Sequence, residues 1–140
     1  MTTKFILKDC YIVVNGTNFS DHISSVTVSM SKKGVDTTNF SGGGSEQQAG
    51  LKNDEFDITF QQDFAAASVD AVLYPLYNNE TEFQIEVRPK NAAVSTTNPS
   101  YIAQYCILLD YTPVDGKPGD LSESKLKIPC NRAGIARATT

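Results

Sequence analysis

Glu55-Phe56-Asp57-Ile58-Thr59-Phe60-Gln61-Gln62-Asp63-Phe64-Ala65-Ala66-Ala67-Ser68-Val69-Asp70-Ala71-Val72-Leu73-Tyr74-Pro75-Leu76 changes its hydrophobic period part-way along. Up to Gln61, Phe56, Ile58 and Phe60 alternate with Glu55, Asp57, Thr59 and Gln61, the pattern of a strand with one face on a core. Beyond Ser68, Val69, Val72, Leu73 and Leu76 recur at helical spacing, which predicts a short amphipathic helix over about 68–78. Ser68 is the expected N-cap, and Asp70 sits where the helix dipole favours an anion. Pro75 has no N–H to donate, so the helix should be short or kinked near it.

Outward from this stretch the chain reads as strand after strand, bounded by turn residues. Tyr11 to Val14 is a short apolar run closed by Asn15-Gly16, a hairpin signal. Ile23 to Met30 alternates with Val26, Val28 and Met30 inward and Ser25, Thr27 and Ser29 outward. Val35 to Phe40 is a further strand candidate after a Lys33-Gly34 turn. In Glu82 to Arg88, Phe83, Ile85 and Val87 oppose Glu82, Gln84 and Glu86. Tyr101 to Tyr111 is apolar on both faces in its middle, as a central strand should be, and Ser124 to Cys130 returns to alternation.

Half-polar strands of this kind build antiparallel sheets with one wet face. The expected fold is therefore mainly β: a single domain over 1–140, an antiparallel β-sandwich or barrel-like fold with one flanking helix. Two segments stand apart. The glycine-rich 41–54 is expected to be a long loop projecting from the sheet end. Asn131 to Thr140 is small and polar, and is expected to be a disordered end or an arm that orders on a neighbour. Residues 1–10 form an N-terminal segment.

The chain of 140 residues carries a net charge of −4 and no basic stripe, so it is not built to grip a nucleic-acid backbone. No apolar run reaches the ~20 residues of a membrane span, and no signal peptide is visible. Cys10, Cys106 and Cys130 lack metal-ligand spacing and read as packing thiols in a reducing cytoplasm. His22 is the sole histidine, and adjacent Ser20-Asp21-His22 cannot converge as a triad. Ser41-Gly42-Gly43-Gly44-Ser45 lacks the lysine of a phosphate-binding loop. Same-face carboxylates at Glu55/Asp57 and Glu82/Glu86 are what any solvated strand carries. No catalytic residue, cofactor or metal is expected; the chain does not read as an enzyme.

Several blocks in order carry a family resemblance. They are Gly50-Leu51-Lys52, the Phe60 to Leu76 segment, Val87-Arg88-Pro89, Asn91 to Tyr101, Tyr111 to Leu121 and Ser124 to Pro129. Together they resemble the major tail tube proteins of long-tailed (siphovirus) phages, particularly those infecting actinobacteria. The resemblance implies hexameric rings stacked into a hollow virion tube, assembled in the host bacterial cytoplasm, through which viral DNA passes without specific binding. It also implies a tape measure protein and tail completion proteins as partners. A long loop reaching the adjacent ring maps onto 41–54, with Glu46, Gln47 and Gln48 as polar contacts and Leu51 as an apolar anchor. For the lumen, the candidates are the polar sides of two alternating strands: Ser25, Thr27, Ser29, Glu55, Asp57, Thr59 and Gln61. The alternative is a carbohydrate- or receptor-binding β-sandwich module of a tail tip or bacterial surface, using Tyr74, Tyr77, Tyr101, Tyr105 and Tyr111.

Overall fold

The computed structural model describes residues 4–140, so the first three residues of the expected N-terminal segment lie outside the described residues. Ten strands and one α-helix follow in the order β1 (Tyr11–Val14), β2 (Thr17–Asn18), β3 (Ile23–Ser29), β4 (Lys32–Asp36), β5 (Gln47–Lys52), β6 (Glu55–Gln61), α1 (Val69–Asn78), β7 (Phe83–Arg88), β8 (Ser100–Cys106), β9 (Glu123–Pro129) and β10 (Ile135–Ala138). They form an antiparallel five-stranded sheet, β10-β8-β7-β1-β2, a three-stranded sheet, β3-β6-β9, and a separate two-stranded hairpin, β4-β5.

One apolar core lies between the two larger sheets. Ile12, Val14, Phe83, Ile85, Val87, Ala103 and Ile135 come from one side, and Phe56, Ile58, Phe60, Leu126 and Ile128 from the other. In β1, β6, β7 and β9 the inward set is the alternate residue of the strand, so the period-2 pattern and the burial coincide, whereas β8, with a register shift against β7, buries Ser100, Ala103 and Cys106. Helix α1 adds Val69, Leu73 and Leu76 to the same core, at the spacing read from the sequence. Asn15 and Gly16 both take positive φ (51° and 82°) in the β1–β2 turn, the backbone that an Asn-Gly hairpin supplies cheaply.

Six details differ from the sequence reading, the first being that Lys33-Gly34 lies inside β4 rather than in a turn, and that this strand ends at Asp36 instead of running to Phe40. The 41–54 segment is not all loop, because Gln47–Lys52 pairs with Lys32–Asp36 and only the tip between them is irregular. The 131–140 arm is not free either: Ile135–Ala138 adds to the sheet edge alongside β8. Tyr101 to Tyr111 does not continue as one strand, since at Cys106 the chain leaves β7 and bridges to Cys130 at the end of β9. Met30 is 51% exposed rather than inward, lying just past the end of β3. Finally, Ser68 precedes α1 but makes no side-chain cap; its hydroxyl donates instead to Asp63 Oδ2 at 2.8 Å.

Candidate functional site

The seven polar residues of β3 and β6 share one face. Ser25 stands opposite Thr59, Thr27 opposite Asp57 and Ser29 opposite Glu55, all in register. Gln61 extends the row on β6. Strand β9 flanks β6 on its other side and places Lys127 opposite Asp57, Lys125 opposite Thr59 and Glu123 opposite Gln61. These three were not among the sequence candidates. Their alternation with Leu126 and Ile128 was visible, but the pairing of β9 with β6 was not. The consequence is electrostatic. Glu55, Asp57 and Glu123 face Lys125 and Lys127, so the face is close to charge-balanced rather than acidic, and Lys127 Nζ lies 3.9 Å from Glu55 Oε1. Strand β3 pairs on one side only, leaving a free backbone edge, whereas the outer side of β9 is bonded at Pro129 by Ile107 and at Ser124 by Thr112.

The β4–β5 ribbon has no core of its own. Every residue of β4 is exposed, and in β5 only Gly50 is partly covered. Gln47 pairs with Asp36 and Gln48 with Val35, while Glu46 closes the tip by accepting the Thr37 N–H on its carbonyl and donating its N–H to Thr38 Oγ1. Leu51 is 84% exposed, and Phe40 at the tip is wholly so. Phe40 is the residue that sequence reasoning missed, having been assigned to a strand. A two-stranded ribbon bare on both faces is marginal in water. From its base to its tip it spans at most about 30 Å, at ~3.3 Å per residue.

Where the ribbon leaves the sandwich, Asp54 forms the joint. Its side chain is fully buried; Oδ1 accepts the Ser31 N–H at 3.0 Å, and Oδ2 accepts the Ile135 N–H at 2.8 Å. Lys52 Nζ lies 3.1 Å from Oδ2 and also donates to the Ile135 carbonyl. Burial pushes the Asp54 carboxyl up, but the hydrogen bonds from Ile135, Lys52 and Ser31 outweigh it, leaving the group below its ordinary range. Gly134, at φ +68°, leaves room for this carboxylate: a Cβ there would lie 2.5 Å from Oδ2. One carboxylate thus ties the β3–β4 bend, the β5–β6 bend and the start of β10.

His22 lies between two carboxylates, Nδ1 at 2.9 Å from Asp21 and Nε2 at 3.0 Å from Asp63. The Asp21 hydrogen bond raises its pKa most, burial opposes this, and Asp63 adds to the rise. No serine completes a triad: Ser20 donates to Asn18 and Ser68 to Asp63. Of the candidate tyrosines, Tyr74 and Tyr77 on α1 are exposed, but Tyr105 and Tyr111 are engaged. Arg132 covers Tyr105 at 4.2 Å, and Tyr111 donates to Asp70 and accepts from Gln62. Among the described residues, no group of His, Cys, Asp and Glu is placed to hold a metal, and no helix is long and apolar enough to cross a membrane.

No protein-family model matches this sequence, and no curated protein matches it. Solved structures do match. The tube-terminating cap of the anti-feeding prophage superposes with a TM-score of 0.71 at 9% identity, over 100% of this chain and 94% of that one. A chain in the sheath/tube terminator structure of PVC, an extracellular contractile injection system, gives 0.70 at 11% identity, over 97% of each. The fold is that of phage-like tail tubes and their terminators. A chain of the native gene transfer agent virion agrees, with a TM-score of 0.69 at 13% identity over 93% of this chain and 95% of that one. The likeness thus extends over essentially the whole chain, in particles of more than one kind, and does not single out long-tailed phages.

Proposed function

We propose that this chain is a structural, non-catalytic subunit of a phage-like tail tube, whose rings stack through the β4–β5 ribbon. The observation that carries the reading is the ribbon itself. It projects from a tail-tube-like sandwich, is bare on both faces, and ends in a fully exposed Phe40. An apolar tip on a coreless arm gains stability when a second copy covers it. The free edge of β3 supports lateral closure, since identical subunits in a closed ring can cover one another's exposed edges. Six subunits per ring, a virion location and passage of DNA complete the proposal, in line with the sequence resemblance to siphovirus tubes. On this reading Ser25, Thr27, Ser29, Glu55, Asp57, Thr59 and Gln61, joined by Glu123, Lys125 and Lys127, line the lumen. A near-balanced face of this kind has little net attraction for phosphate.

The test is to replace residues 38–45 by Asn-Gly, closing β4 onto β5 with a two-residue turn. The subunit should stay folded, with its thermal midpoint within a few degrees, because loop length enters stability only logarithmically. Electron microscopy should then show no long tubes. Normal tubes from this variant would refute stacking through the tip. A terminator role is the second reading, favoured by the cap and terminator structures among the neighbours. The wild-type protein separates the two, since a tube subunit polymerises and a terminator stops at single rings.

A further inference from the structure

We propose that Cys106 and Cys130 form an oxidation site: presented with a low-molecular-weight disulfide, they close into an internal cystine that staples the two sheets together. Cys106 ends β8 and Cys130 directly follows β9, one from each sheet of the sandwich, and the two form an isolated antiparallel bridge. Backbone bonds flank the pair without joining it, from Ile107 N–H to the Pro129 carbonyl at 3.2 Å and from Asn131 N–H to the Tyr105 carbonyl at 2.8 Å. This is the non-hydrogen-bonded type of pair, in which Cα atoms come to about 4.5 Å and side chains approach most closely. That separation lies inside the range a disulfide accepts. The sulfurs already touch at 3.6 Å, and both are free thiols. Cys10 is engaged elsewhere, with its thiol donating to the Arg88 carbonyl.

Burial sets the order of events. Cys106 is fully buried, whereas Cys130 is partly exposed, so Cys130 meets the reagent first. The hydrogen bond with Cys106 favours the nucleophilic Cys130 thiolate and holds this thiol below its ordinary range, although burial opposes it. The Cys130 thiolate attacks the S–S bond of the reagent, forming a mixed disulfide and releasing one reagent thiolate. Cys106 then loses its proton and attacks the Cys130 sulfur, expelling the second reagent thiolate. In total, one reagent S–S bond and two protein S–H bonds break. One protein S–S bond and two reagent S–H bonds form, and two electrons pass from protein to reagent.

The experiment treats the native full-length protein with oxidised glutathione and counts thiols by alkylation and mass spectrometry. The expected product has lost two hydrogen atoms, keeps one alkylatable thiol at Cys10, and yields a peptide pair joining Cys106 to Cys130. Its thermal midpoint should rise by about 10 °C, as expected for constraining a loop of this length, and return on reduction. Cys130→Ser should abolish closure, and Cys10→Ser should leave it unchanged. A stable glutathione adduct at Cys130 without closure, three unreacted thiols in the native protein, dimers linked through Cys10 alone, or closure that lowers the midpoint would each overturn the proposal.

Discussion

Replacing Asp54 by alanine should cost about 3 kcal/mol of folding stability, because it strands the buried Ile135 N–H and the part-buried Ser31 N–H. The Ser31 and Ile135 N–H groups both point at this carboxylate, and a buried donor left without a partner costs ~1–3 kcal/mol. Lys52 adds less to the loss, since its side chain is 34% exposed and keeps the Ile135 carbonyl as a partner. Asp54→Asn keeps one acceptor but turns an amide toward an N–H, and should cost roughly half as much. Gly134→Ala adds a left-handed penalty of ~1 kcal/mol or more and drives a Cβ into Oδ2. In the Asp54→Ala background that collision disappears, so the double variant should lose less than the sum of the singles, by about 1 kcal/mol. Urea unfolding with an unchanged m-value reads all of these quantities. The pH dependence gives an independent check. The folded carboxyl lies below its ordinary value of 3.8, so its contribution is complete above that value and is lost as pH falls through the lower folded one. The gap between wild type and Asp54→Ala should therefore be flat at neutral pH and narrow only in acid. An Asp54→Ala cost under about 1 kcal/mol, or strict additivity with Gly134→Ala, would refute this account of the joint.

Two further outcomes follow from neighbouring groups. His22 has a folded pKa above its ordinary 6.5, so its ion pairs stabilise fully below that value and are lost as pH rises through the folded one. Wild type should lose stability relative to His22→Gln across that window, by an amount screened at a side chain 29% exposed, and an NMR-titrated pKa at or below 6.5 would contradict the geometry. Tyr111, pushed up to about 12 by burial and its bond to Asp70, should ionise well above the ordinary tyrosine value of 10 in an ultraviolet titration. Tyr111→Phe should remove that step and cost about 1 kcal/mol.

The residues alone determined the local periods. Alternation in Glu55–Gln61 and Phe83–Arg88 fixed which side chains face inward, and the spacing of Val69, Leu73 and Leu76 fixed the helix, because both periods are properties of one segment's backbone. Asn15-Gly16 determined its hairpin in the same way, through two residues that accept positive φ. Partnership was not legible. That Lys125 and Lys127 neutralise the face of β6 depends on β9 lying beside it, a register set by burying Leu126 and Ile128 against the opposite sheet. Nothing near Gln47–Lys52 announced a strand, because its pairing with β4 buries no apolar face and so leaves no period to read. Ile135–Ala138 likewise became a strand only by joining the edge of β8, and Asp54 became a joint only because Ser31 and Ile135, distant in sequence, present their N–H groups to it. Periodicity is written within a segment, whereas pairing, charge balance and the satisfaction of buried donors belong to segments that meet only when the chain has folded.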